Sequence, residues 1–429
     1  MSKGRLHPPD LKEATQGLSI KKMPPPQEAV LPLLQHTGAA CEPKVAVKDK
    51  VKAGTLIAEA KDYVSAPIHA SISGEVKSIE TRPHPVLGQY KAIILASDGQ
   101  DTREESIKER QGVEALSADE IRKIIRDSGI VGLGGAAFPT QVKLTPPKGK
   151  TIDTFILNGA ECEPYLTADH RLMVERPKEI LAGMKIAMKV LDVSNGFVAI
   201  EENKPDALKI FQSLVDGKNI KVIRLKSFYP QGGEKQLIKT TLRRQVPSRG
   251  LPFDVGVVVN NVATSLAIYE AVYQNKPLYE RALTVSGKML RQPGNLLVRI
   301  GTKVSDIIEF CGGLSEEPAK FIFGGPMMGL AQYTFDVPVI KSTSGIIFLD
   351  KRQAREYEEQ PCIRCGACVR ACPMGLMPCL LNMAADKQLW TEAKDYRAMD
   401  CVECALCNYV CPAKRRLTHS VRRAKLEIK

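Results

Sequence analysis

Eight of the twelve cysteines fall into two runs of one spacing, C-x2-C-x2-C-x3-C-P. The first holds Cys362, Cys365, Cys368 and Cys372, the second Cys401, Cys404, Cys407 and Cys411. Three thiolates two residues apart on a tight loop reach three irons of one Fe4S4 cube. The fourth, three residues on and followed by proline, turns away to the other cube. The spacing therefore predicts two [4Fe-4S] clusters. Cluster I takes Cys362, Cys365, Cys368 and Cys411; cluster II takes Cys401, Cys404, Cys407 and Cys372. Paired C-x2-C also serves zinc, but a zinc site uses two separated pairs and gains nothing from the 2-2-3 run or its prolines. Adjacent clusters move electrons singly, so the rest of the chain must connect them to a donor and an acceptor.

A chain of 429 residues with 44% hydrophobic residues has room for two to four domains. No run of about 18 apolar residues predicts a membrane span, and the first residues lack the apolar segment of a signal peptide. The other four cysteines, Cys41, Cys162, Cys311 and Cys379, are scattered, as in a reducing compartment. The net charge is +13. Without a nucleic-acid module, it points to an acidic redox partner or a membrane surface rather than to nucleic acid. Residues 413–429 concentrate part of it, so the four arginines Arg415, Arg416, Arg422 and Arg423 are expected to dock a partner.

The elements that must position this chemistry follow in order. Residues 1–28 read as an extended N-terminal arm. Residues 29–100 carry short strands in the pattern of a barrel-sandwich hybrid (hammerhead) module, as in biotinyl and lipoyl carriers. Tyr63 falls where a carrier has its modified lysine, so the module reads as structural. Over 115–278 strand and helix patterns alternate, which predicts an α/β domain with a mainly parallel sheet. Ser117 and Glu120 form a capping box for its first helix. Residues 279–345 suggest a small β-grasp-like domain. Its Gly324–Gly329 loop reads as a turn. Residues 350–429 predict a helical two-cluster ferredoxin-type domain.

Ligands bind such α/β sheets at the carboxyl ends of the strands. There the sequence places Asn158-Gly159-Ala160-Glu161-Cys162-Glu163, Gly232-Gly233-Glu234 and Asn260-Asn261. The glycine loop Gly132-Leu133-Gly134-Gly135 follows a capped helix, not a strand, which excludes an ordinary Rossmann turn. Its bare backbone still admits a phosphate or a flat ring.

The stretch GIVGLGGAAFPTQVK is similar to the flavin loop of the NADH-oxidising subunit of respiratory complex I and of bidirectional hydrogenases. NGAECEP, GGEK and VVNNVAT fall in order on that family's other motifs. With two complete cysteine runs and the N-terminal module, the chain resembles more narrowly the C subunits of Rnf complexes, membrane-bound ferredoxin:NAD+ oxidoreductases. The resemblance implies FMN and NADH/NAD+ beside the two clusters. Gly132, Gly134, Gly135 and Lys143 would hold the FMN phosphate and ribityl chain. Asn158, Asn260 and Asn261 would bond the flavin, with Glu161 in place of an aspartate that here is Ala160. Phe138 would stack on adenine. Glu163 and Glu234, beside Gly233, would border the nicotinamide and ribose as the catalytic pair. Leu133 stands where the complex I pattern has arginine, and Lys235 where it has a second acid. The implied partners are a ferredoxin-like B subunit and integral membrane subunits, with this chain peripheral on the cytoplasmic face of a bacterial membrane. Two other functions fit parts of the pattern: a flavin and iron–sulfur cobalamin reductase of a catabolic microcompartment, and a flavin-free iron–sulfur conduit.

Overall fold

The computed structural model describes residues 6–215 and 217–428. Residues 1–5 of the arm and Lys429 of the basic tail lie outside them. The centre is a parallel sheet in the order Ile220–Leu225, Asn195–Glu201, Thr154–Gly159, Val257–Asn261. In chain order this is 3-2-1-4, so the direction of winding reverses between Thr154–Gly159 and Val257–Asn261. A crevice opens at such a switch point, outside the strands' carboxyl ends. The register sets Asn261 opposite Asn158 there, which brings two of the sequence motifs side by side.

Helices Pro177–Leu191 and Val262–Gln274 pack behind this sheet. Pro177 starts the first of them, where its missing N–H is no loss. Gly183 lets the two helices touch, because a Cβ there would lie 1.8 Å from the Ser265 carbonyl oxygen. Backbone cannot retreat as a side chain can. Gly183→Ala should therefore destabilise the domain by about 2–3 kcal/mol through overpacking, read as a lowered melting temperature with cluster content unchanged.

The N-terminal module forms two facing antiparallel sheets. One orders Glu28–Pro32, Gly88–Ser97, Gly74–His84 and Lys50–Val51; the other Glu42–Pro43, Leu56–Glu59 and Ile68–His69. Leu31, Ile57, Ile72 and Ile93 fill their shared core. The module also buttresses the glycine loop. Thr37 donates to the Ala136 carbonyl at 2.5 Å, and Gln141, just past the loop, donates to the Tyr63 carbonyl at 3.1 Å. Tyr63 itself is exposed, and Lys61 pairs with Glu42.

The β-grasp sheet gathers Gly294–Arg299, Glu280–Ser286, Gly345–Leu349, Lys320–Phe323 and Leu330–Gln332 with helix Val304–Phe310. Its outer strand, Ile20–Lys22, comes from the N-terminal arm. The arm is thus stitched into the fold rather than loose. Leu6 pairs with Tyr229, and buried Lys12 donates to the carbonyls of Glu161 at 2.7 Å and Leu166 at 2.5 Å. Lys341, fully buried, joins all three bodies by donating to the carbonyls of Pro67 at 2.7 Å and Gly129 at 2.8 Å.

The cluster domain is helical, as its spacer predicts, with helices Ala367–Ala371, Pro378–Asp386, Trp390–Asp395, Leu406–Tyr409 and Leu417–Glu427. The basic tail, expected as a docking element, is also part of the domain's own fold. It is the last of these helices, with Leu417, Val421 and Ala424 buried. Its arginines are engaged within the domain: Arg415 with Asp386 and Glu359, Arg416 with Glu359, Arg422 with Glu403, and Arg423 over the Trp390 ring. A segment with an apolar stripe every three or four residues packs inward whatever its net charge.

Candidate functional site

A cavity of about 600 Å³ occupies the crevice at the switch point. Every residue the sequence assigned to flavin or nucleotide lines it: Gly132, Gly134, Gly135, Phe138, Lys143, Asn158, Glu161, Glu163, Gly233, Glu234, Asn260 and Asn261. The glycine loop is closed by the Gly132 N–H donating to the Phe138 carbonyl at 2.9 Å. It is pinned by the Leu133 N–H on Thr264 Oγ1, also at 2.9 Å. Gly134 is required here, since a Cβ would meet the Asn261 amide nitrogen at 2.7 Å.

The three asparagines differ in what they have left to offer. Asn261 caps helix Val262–Gln274, its Oδ1 accepting from the Ala263 N–H at 2.8 Å, while its Nδ2 donates to Asp169 at 2.5 Å. Asn158 ties two strand-end loops together by donating to the Gly232 carbonyl at 2.9 Å. Asn260 is buried in the wall, and its Nδ2 has no partner among the described residues. An orphaned donor of this kind, beside glycines that bare the backbone, fits a ring that accepts hydrogen bonds. These residues suit FMN.

The carboxylates divide likewise. Glu161 is turned to the start of helix Ala168–Glu175, accepting from the Asp169 N–H at 2.8 Å. Glu163 is held by the Gly324–Gly329 loop. The Met327 N–H donates to its Oε2 at 3.0 Å, the Met328 N–H to its Oε1 at 2.9 Å, and the Tyr229 hydroxyl to Oε1 at 3.3 Å. That loop is therefore a turn with a task at the site. Burial pushes the Glu163 carboxyl up to about 7 against the pull of these donors. Glu234 pairs with Lys143. The Cys162 thiol, which accepts weakly from the Gly232 N–H at 3.5 Å, is pushed up to about 12 by burial and stays protonated.

Three residues that sequence reasoning passes over line the same cavity. Asp169 is half-buried, and its desolvation, with Glu161 beside it, raises its carboxyl to about 7. Leu251 joins the rim that also carries Phe138 and Met328, all three exposed. Arg281 enters from the β-grasp strand Glu280–Ser286. Asp169 lies in LTADHRLM, where an acid at a helix start reads as ordinary charge–dipole placement. Arg281 carries no local signal at all.

Of the eight predicted cluster ligands, Cys372, Cys401, Cys404 and Cys407 surround one small void walled by Met374, Leu376, Leu381 and Val421. This is the set expected for cluster II. In a cube each thiolate meets its own iron, and four cysteines around one void supply one ligand for each. The C-terminal helix completes this wall. Thr418 Oγ1 lies 3.4 Å from Cys407 Sγ, and Lys425 donates to the Cys401 carbonyl at 2.7 Å. Asp400 moors the same loop to the flavin domain, accepting from Ser248 at 2.7 Å and from the Arg249 N–H at 2.9 Å. For cluster I, Cys362 and Cys365 are exposed, Cys368 is buried and Cys411 is half-buried. The Gln360 N–H bonds to the Ala413 carbonyl at 3.0 Å and draws the two ends of that set together.

Comparison with known proteins accounts for most of the chain. Residues 1–100 match the RnfC barrel-sandwich hybrid domain, 125–270 the Nuo51 FMN-binding domain, 283–331 the SLBB domain and 361–414 the 4Fe-4S dicluster domain. The C subunit of the proton-translocating ferredoxin:NAD(+) oxidoreductase complex of Clostridium ljungdahlii is 48% identical over 91% of this chain and 86% of its own. The C subunit of the Na(+)-translocating ferredoxin:NAD(+) oxidoreductase complex of Acetobacterium woodii is 44% identical over 99% and 96%. The C subunit of the ion-translocating oxidoreductase complex of Rhodobacter capsulatus is 44% identical over 89% and 74%. Among solved structures an air-oxidized NAD+-reducing [NiFe]-hydrogenase shares the fold over 73% of this chain and 63% of its own, with a TM-score of 0.51 at 18% identity. With relatives this similar over nearly its whole length, the chain belongs to the family of C subunits of the ion-translocating ferredoxin:NAD+ oxidoreductase complexes.

Proposed function

We propose that this chain is the electron-input subunit of such a complex, passing electrons between NAD(H), FMN, cluster II and cluster I, in that order or its reverse. The observation that carries the order is a shared wall: Cys404 lines both the flavin cavity and the cluster II void, and Val402 lines them with it. Tyr229 and Cys404 share one apolar cluster, against which Cys162 and Met327 pack. FMN, when bound, exchanges two electrons with a nicotinamide and one at a time with a cluster. The chain's own residues do the rest. The glycine loop and Asn260 hold the flavin, and Phe138 and Leu251 offer apolar surface at the rim. Glu163, fixed by two backbone N–H groups, gives a carboxyl that can hold or release a proton near neutrality. Lys143 and Glu234 border the mouth as a pair that an incoming dinucleotide can part.

Cluster I, with Cys362 and Cys365 exposed, faces the handover to a ferredoxin-like B subunit. Among the described residues no helix is long and apolar enough to cross a membrane. The proposed place is peripheral, against the integral subunits and on the cytoplasmic face, the side that holds NAD(H). Anaerobic quantitation of flavin, iron and sulfide checks the reading. It predicts about one FMN and about eight iron per chain. A protein full of iron that takes up no flavin, even when FMN is supplied, would overturn it.

A further inference from the structure

Among the described residues Arg281 is a buried cation without an ion-pair partner. It is 4% exposed and lies in the cavity wall. Its Nε donates to the Ala282 carbonyl at 3.3 Å, Nη2 to the Leu133 carbonyl at 3.3 Å, and Nη1 to the Lys341 carbonyl. Carbonyls orient a guanidinium but do not neutralise it, and two of its five N–H groups remain unspent. Asp169 is the carboxylate whose field reaches it, from beyond ion-pair distance. An isolated buried charge is costly to the fold unless something compensates it, and burial lowers this guanidinium only to about 10. It remains charged.

Two other anion-favouring features meet it at Leu133. The glycine loop presents bare backbone on one side. On the other, helix Val262–Gln274 begins at the cavity, with Thr264 bonded to the Leu133 N–H. A helix start favours negative charge. We propose that Arg281 binds the phosphate of FMN, so that the β-grasp domain supplies a cofactor contact to the flavin domain. The planar fork of arginine suits a phosphate bidentately. This assignment rests on the flavin reading above.

The test compares FMN with riboflavin, which lacks only the phosphate. Binding of each is measured to the full-length, cluster-loaded protein stripped of flavin, as wild type, Arg281→Lys and Arg281→Gln. Wild type should prefer FMN. Arg281→Gln should weaken FMN about ten- to hundred-fold, as loss of charge-assisted bonds does, and leave riboflavin unchanged. Arg281→Lys, with charge but no fork, should fall between. An Arg281→Gln protein that binds FMN like wild type would overturn the assignment, and so would one that loses both flavins equally. Should Arg281→Gln not fold, Arg281→Lys decides: a preference for FMN over riboflavin that is smaller than in wild type supports the phosphate contact, and an undiminished wild-type preference refutes it. Wild type that binds neither flavin would sink the flavin reading itself.

Discussion

Cys404→Ala should leave NADH able to bleach the flavin while the cluster of Cys362, Cys365, Cys368 and Cys411 stays oxidised. Among the described residues Cys404 is the one thiol that belongs to both walls, so its loss removes the cluster between the flavin cavity and the exposed end of the chain. Iron should drop from about eight to about four per chain. The side chain is small and 7% exposed. Truncation there costs on the order of 1 kcal/mol of packing, and the lost cluster removes its own contribution to folding, so the far-UV circular dichroism of the variant serves as the folding control. Cys362→Ala is the contrasting variant. Its thiol is exposed, at the far end of the path. NADH should still reduce cluster II in that protein, and transfer to an added ferredoxin-like acceptor should be lost. Separate cluster signals in electron paramagnetic resonance distinguish the two variants. If Cys404→Ala reduces cluster I as wild type does, the proposed order is wrong.

Gly325→Ala should slow reduction of the flavin by NADH at least ten-fold without releasing the flavin. A Cβ on Gly325 would stand 2.2 Å from Glu163 Oε2 and 2.6 Å from its carboxyl carbon. The loop or the Glu163 side chain must then shift, and the bonds from the Met327 and Met328 N–H groups are broken or lengthened. Each such bond to an ionised group contributes about 1.5–3 kcal/mol. A ten-fold change in rate needs only about 1.4 kcal/mol. Stopped-flow flavin absorbance after NADH addition reads the rate, and the flavin content of the purified variant serves as the control. An unchanged rate would show that the position of Glu163 does not matter to hydride transfer.

How far the sequence can be read depends on the range of each signal. The cysteine runs announce their chemistry through covalent spacing, and the capping box at Ser117 and the proline at Pro177 act within a few residues. The four cavity motifs are legible because each lies in a loop or at the end of an apolar strand. What brings them together, the 3-2-1-4 strand order, is a long-range outcome of packing. Glu163 shows the limit. Its residue type is readable, but its holder is a loop more than 160 positions away. The N-terminal arm looks featureless because one strand of three residues and one buried lysine leave no periodicity. In the tail the charge is legible but its partners are not: Glu359, Asp386 and Glu403 engage Arg415, Arg416 and Arg422 inside the domain.

The most direct test of the central claim is anaerobic addition of NADH to the flavin- and cluster-loaded wild-type chain, with flavin and cluster absorbance followed together in time. The account predicts that the flavin is reduced first and that both clusters follow on the same chain, with no other protein present. Clusters that bleach in protein stripped of flavin, or a flavin that is reduced while both clusters stay oxidised, would contradict it.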